Sequence, residues 1–160
     1  MIGNDIVDLV LASTQSNWQR KGYLNKIFTK EEQVLIASAD HPDQMVWRLW
    51  SMKESAYKIH NRRTGIRNFA PTGLCCNLLN PDPAITGSVT INQAIYFTKT
   101  EFSPDYVHTV ASSFRERLDE ISADIYVKPD HPAHYKTLAP DCISHHGRYL
   151  ALAYERRVFN

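Results

Sequence analysis

The chain has 160 residues, with 18 Lys+Arg against 17 Asp+Glu and 43% hydrophobic residues. That length suits one domain with its own core, and the near-zero net charge leaves no overall field for nucleic acid or an anionic membrane. No apolar run approaches the roughly 18 residues that cross a bilayer. The N-terminus carries no basic region leading into an apolar stretch and a cleavage site. Three cysteines, Cys75, Cys76 and Cys142, make a poor disulfide framework and fit a reducing compartment. The expectation is a single cytoplasmic domain with no membrane or nucleic-acid partner.

Residues 2–11 (IGNDIVDLVL) read as a strand giving way to a polar segment, and 16–28 (SNWQRKGYLNKIF) as helical. In FTKEE, Thr29 followed by Glu32 forms a capping box ahead of an apolar run, which predicts a helix start. The strongest helix covers about 43–61 (DQMVWRLWSMKESAYKIHN). Met45, Leu49, Met52, Ala56 and Ile59 share one narrow arc, a core stripe. Glu54 and Lys58 project from nearly the opposite side, close to Trp47. Val46, Trp50 and Tyr57 form a second apolar strip, so this helix meets something besides its own core. NRRTGIRN ends it, with Arg62, Arg63 and Arg67 around Gly65.

Strands are expected at 72–79 (TGLCCNLL), 88–98 (SVTINQAIYFT) and 105–113 (DYVHTVASS), separated by turn-forming residues. FRERLDEI reads as a short helix and ADIYV as a short strand entering a Pro/His-rich loop. CISHHGRYLALAYE gives two short strands about a His-Gly turn. Helices early and strands late indicate an α+β fold, an antiparallel sheet packed against a long central helix.

Four stretches can carry chemistry. Glu54 and Lys58, four apart, suit a surface ion pair worth a few tenths of a kcal/mol. Ringed by Trp47, Trp50 and Tyr57, the same pair suits a cation and a phosphate. Asp5 in GNDIVDL either caps a strand edge or supplies an oxygen ligand to a hard cation; Mg²⁺ sites use one or two carboxylates and leave the rest to water and phosphate. Period-2 alternation places Asp5 and Asp8 on opposite faces, which leaves Asp8 a structural role. His131, His134, Cys142 and His145 raise a zinc question, although their spacings match no firm signature. The arginines past the long helix suit its dipole or a phosphate-bearing ligand near Lys58.

Taken in order, GNDIVDL, FTKEE, LWSMKESAYK with TGI after it, and ISHHGRYLALAYE resemble the 4′-phosphopantetheinyl transferase superfamily, in its short, holo-acyl-carrier-protein-synthase type. The resemblance covers residues 1–67 and 141–155. It implies Mg²⁺ ligation by Asp5 and Glu54, a catalytic role for Glu54 and Lys58, and contacts to coenzyme A from Lys58, Arg62, His145 and the turn Thr64, Gly65, Ile66. The reaction it implies moves 4′-phosphopantetheine from coenzyme A to a serine of an apo acyl carrier protein, releasing 3′,5′-ADP. A non-catalytic carrier-protein or coenzyme A binding module of the same fold is the alternative. The sequence departs from the family at Val7, where surfactin-type members hold a third acidic ligand, and at Leu49, where many short members are basic. It is also longer than the short type, the excess falling roughly within 70–140. The short type is usually a trimer, so a homo-oligomer is a further expectation.

Overall fold

The computed structural model describes residues 1–79 and 85–156. The first strand, β1, spans Ile2–Asp8 and ends earlier than its apolar run suggests. The Asp8 side chain accepts from the amides of Val10 and Leu11 and so caps a short helix, α1 (Leu9–Gln15). Leu9 and Val10, expected in the strand, are therefore helical. The expected helix over 16–28 is likewise mostly turn, with only α2 (Tyr23–Ile27) forming after Gly22.

The capping box forms as expected. Thr29 accepts from the Glu32 amide, Glu32 accepts from the Thr29 amide, and α3 runs Lys30–Ser38. The long helix α4 spans Pro42–Thr64 and closes on Gly65. Leu49, Met52, Ala56 and Ile59 are each fully buried. Burying a large apolar side chain contributes about 1.5–3 kcal/mol, so this stripe anchors the core.

Five strands form one antiparallel sheet in the order β1-β5-β4-β3-β2, with β2 at Leu74–Leu78, β3 at Thr86–Ile91, β4 at Ala94–Phe102 and β5 at Tyr106–Ser112. The stretch 88–98, expected as one strand, is instead a hairpin. Asn92 and Gln93 both take positive φ, at 47° and 71°, and Ile91 faces Ala94 across a two-residue turn. A second antiparallel sheet has the order β6-β8-β7, with β6 at Ile121–Val127, β7 at Cys142–His146 and β8 at Tyr149–Glu155. FRERLDEI forms a 3-10 turn over Arg115–Glu120. The overall fold is the expected α+β arrangement of antiparallel sheet and long helix.

Two features bring β1, α4 and β7 together. A Cβ at Gly3 would lie 1.9 Å from the Ser55 carbonyl oxygen, so only glycine lets α4 lie this close to β1. On its other side β1 meets the second sheet: Asn4 Nδ2 donates to the carbonyls of Cys142 (3.2 Å) and Ala151 (2.9 Å).

Beneath α4 lies a buried ion pair. Lys53 Nζ sits 2.7 Å from Glu32 Oε2, and both side chains are essentially out of solvent. Lys53 also donates to the carbonyls of Ile27 (3.0 Å) and Pro71 (2.7 Å), while Glu32 Oε1 accepts from the Cys76 amide at 2.8 Å. Every charge in this knot is answered, which is the condition for burying it.

Candidate functional site

Trp47, Trp50, Glu54 and Lys58 recur at three- and four-residue spacing, so α4 presents them along one side. That side faces the middle of β1. A cavity of about 250 Å³ opens there, lined by Asp5, Val7, Ala12, Ser16, Tyr23, Trp47, Trp50, Glu54, His145 and His146 among others. Residues more than a hundred positions apart in the chain thus share one wall.

Asp5 is buried, and its two oxygens differ. Oδ1 accepts from Ser144 Oγ at 3.3 Å and lies 3.6 Å from Lys58 Nζ, whereas Oδ2 is buried with no hydrogen-bond partner. Ser144 also accepts from the Ile6 amide at 3.1 Å, and Ser51 Oγ donates to the Asp5 carbonyl, so backbone and side chain are both held. Burial raises the Asp5 carboxyl above its ordinary value, against the opposing pull of Lys58 and the two serine hydroxyls. Glu54 is pushed up to about 7, first by burial and then by the charge of Asp5, with Lys58 pulling the other way. Asp5 and Glu54, two carboxyls whose ionisation is opposed, one of them with an orphaned oxygen, are the residues of this cavity that could hold a cation. A hard divalent ion fits that set, since Mg²⁺ takes one or two carboxylates and leaves its other positions to water and phosphate.

Lys58 is fixed by the carbonyl of Asn4 at 2.6 Å and is partly open to solvent. Its side chain reaches Asp5 of the cavity at 3.6 Å, and it lines a separate, more open groove of about 360 Å³ with Tyr57, Asn61, Arg62, Pro140, Asp141, Cys142 and Ile143. It therefore stands between the carboxylate cavity and a groove with a second cation. His145 lines the first cavity and sets its ring edge-on to His131, with centroids 5.7 Å apart. Partial burial lowers its pKa, helped by the charges of Lys128, His131 and His146.

The remaining expected residues lie farther off. Arg62 donates from Nε to the Lys58 carbonyl and from Nη1 to the Asp141 carbonyl, and it also bonds the Ile2 carbonyl, which ties the end of α4 to both sheets. Thr64, Gly65 and Ile66 sit at the C-terminus of α4, ten residues past Glu54 and so about 15 Å along the axis. There Thr64 Oγ1 caps the His60 carbonyl and accepts from the Ile66 amide. His131 Nε2 lies 2.8 Å from the Arg148 carbonyl. Among the described residues no three His, Cys, Asp or Glu side chains converge as metal ligands, so the zinc alternative has no ligand set.

Several residues that shape the site carry no local sequence signal. Ser144 meets Asp5 across 139 positions. His108, buried on β5, pairs Nε2 with Asn4 Oδ1 at 2.6 Å and so steadies the residue whose carbonyl holds Lys58. Phe69 packs edge-on against both Trp50 and Tyr57, closing the second apolar strip of α4. Asp8 is structural as expected: Arg148 meets it from Nε at 2.9 Å and Nη2 at 3.0 Å, which holds its carboxyl well below the usual range. The His146 Nδ1 accepts from the Asp8 amide, so the β7–β8 turn is pinned to the end of β1.

The family model described as the 4′-phosphopantetheinyl transferase superfamily matches residues 1–111. The chain belongs to that superfamily. In structure it is similar to Helicobacter pylori holo-[acyl-carrier-protein] synthase, solved in complex with coenzyme A, with a TM-score of 0.52 at 15% identity. The match covers 69% of this chain and 97% of that one. No curated protein matches the chain.

Proposed function

We propose that the protein is a Mg²⁺-dependent 4′-phosphopantetheinyl transferase of the holo-acyl-carrier-protein-synthase type, acting from coenzyme A onto a carrier-protein serine. The observation that carries the reading is the pairing of Asp5, with its orphaned Oδ2, and Glu54 across one cavity, with Lys58 beside them. Superfamily membership supports the reaction class. The coenzyme A bound in the structurally similar synthase supports coenzyme A as donor.

Asp5 and Glu54 would hold the cation, with water completing a shell to which Val7 adds no ligand. A cation held there would supply charge neutralisation to the coenzyme A diphosphate. The chain's own residues position and balance charge, which is most of what phosphoryl transfer requires. Lys58 faces the diphosphate and offsets the charge that grows on the leaving 3′,5′-ADP. Glu54 accepts the serine proton, directly or through a water, as the serine oxygen attacks the phosphorus bearing the pantetheine arm. Arg62, His145 and the Thr64–Gly65–Ile66 turn contribute to the coenzyme A side, with His145 closest to the carboxylates.

In this reading residues 1–160 are one domain, and the excess over the short type lies roughly within 70–140. A homo-oligomer and a cytoplasmic location complete the proposal. Carrier-dependent release of 3′,5′-ADP from coenzyme A, tested with and without Mg²⁺, checks it. Coenzyme A binding without release, across several apo carriers, would favour the non-catalytic binding module.

A further inference from the structure

Asn4 is fully buried on β1, and its side-chain amide is held at three points. Nδ2 donates to the carbonyls of Cys142 on β7 and Ala151 on β8. Those two acceptors use both amide hydrogens and fix which way the amide faces, so Oδ1 can only accept. His108 Nε2 lies 2.6 Å from that oxygen and must therefore carry the proton. Burial, and then the charge of Lys58, lowers the His108 pKa to about 4, so the ring is neutral with Nδ1 unprotonated. The ring is not packed on every side, since it lines a cavity of about 190 Å³ with Lys99, Glu101, Val110 and Asp119 among others. The bond to Asn4, rather than close packing all round, sets its orientation.

We propose that His108 is a positioning residue for the transfer, acting through Asn4 on Lys58. The inference rests on the transferase reading above. The Asn4 carbonyl accepts from Lys58 Nζ at 2.6 Å, and the same ammonium lies 3.6 Å from Asp5 Oδ1. Lys58 thus takes its place from the Asn4 peptide, and that peptide is anchored by an amide that β5, β7 and β8 hold together. Without the His108 donor, Asn4 Oδ1 would be a buried acceptor with no partner, a cost that favours turning the amide or shifting the strand. Either movement displaces the anchor of Lys58 and leaves Glu54, on α4, where it is. A misplaced cation matters here because phosphoryl transfer depends chiefly on positioning and charge balance.

His108→Leu and His108→Gln are similar in size and differ in whether they offer Asn4 an N–H. Steady-state transfer from coenzyme A to an apo acyl carrier protein, with Mg²⁺, is measured for both and for the wild type. ¹⁵N relaxation of the Lys58 ammonium is measured alongside. His108→Leu is expected to lower kcat about fivefold or more, with the KM for coenzyme A within about twofold and Lys58 Nζ more mobile. His108→Gln is expected to keep most of kcat and a restrained Lys58. Equal kcat losses in the two variants, a loss confined to KM, or a Lys58 as restrained in His108→Leu as in the wild type would each overturn the positioning role and leave the transferase reading standing. Should His108→Leu not fold, His108→Asn, whose amide stops a methylene short, takes its place with the same expected outcomes. A wild type that transfers to no carrier removes the transferase reading and the role of His108 with it.

Discussion

Two lysines of the SMKESAYK stretch have opposite characters, and replacing each with methionine separates them. Lys53 is fully buried against Glu32 at 2.7 Å. Lys53→Met keeps most of the apolar stem but leaves the Glu32 carboxylate without a counter-charge and the Ile27 and Pro71 carbonyls without their donor. Breaking a buried ion pair from one side costs about 3–5 kcal/mol. At this chain length each kcal/mol moves the melting temperature by about 2–4 °C, so a fall of roughly 6–20 °C is expected. That is a large share of the ~5–15 kcal/mol stability typical of a domain. Urea denaturation of Lys53→Met, Glu32→Gln and the double variant measures the effect. The double variant is expected to recover part of the loss, with a coupling of about 1–3 kcal/mol, because the unpaired charge is gone. Lys58→Met, at a partly open position, is expected to move stability by no more than about 1 kcal/mol while suppressing transfer. A Lys53→Met loss under about 1 kcal/mol, or strictly additive losses, would refute the account of this knot.

Asp5→Asn is expected to raise the melting temperature measured without divalent cation, because it removes a buried charge repelling Glu54, and to abolish both transfer and cation binding. Glu54 titrates at about 7 in the folded chain, above its ordinary carboxyl value, so its contribution to stability is present at low pH and is lost as pH rises through 7. Cation-free thermal melts should therefore fall in midpoint as pH rises from about 4.5 to 7 and level off above that, less so in Glu54→Gln. His108 is depressed to about 4 by burial, so its contribution is lost as pH falls from its ordinary value toward 4; His108→Gln melts should show a weaker loss on that acid limb. Gly147 has φ +55° and an added Cβ would lie 2.6 Å from Asp8 Oδ2, so Gly147→Ala should cost about 1–3 kcal/mol in urea denaturation.

What the sequence disclosed depended on whether the signal was local. Thr29 and Glu32 sit three apart and their capping box is readable directly, as is the stripe from Leu49 to Ile59. Asp5, Glu54 and Lys58 stand in legible motifs, and the close approach of α4 to β1 that Gly3 allows brings those motifs together. Other features were opaque because distant contacts decide them. Asp8 ends β1 early because a cap and Arg148 outcompete the strand tendency of Leu9 and Val10. The hairpin at Asn92–Gln93 lacks the glycine that marks most such turns. Nothing in helical spacing reveals that Lys53 is buried, since its partner lies on another helix. Ser144 reaches the site only because the second sheet packs on β1, and His108 only because β5 pairs with β1.

Intact-mass measurement of the acceptor checks the proposal that Asp5 and Glu54 form the working pair of a phosphopantetheinyl transferase. An apo acyl carrier protein incubated with coenzyme A, Mg²⁺ and the wild-type protein is predicted to gain one phosphopantetheine group. The same incubation with folded Glu54→Gln is predicted to leave it unchanged. Full modification by Glu54→Gln, or several apo carriers left unmodified by the wild type while a known transferase converts them, would contradict the account.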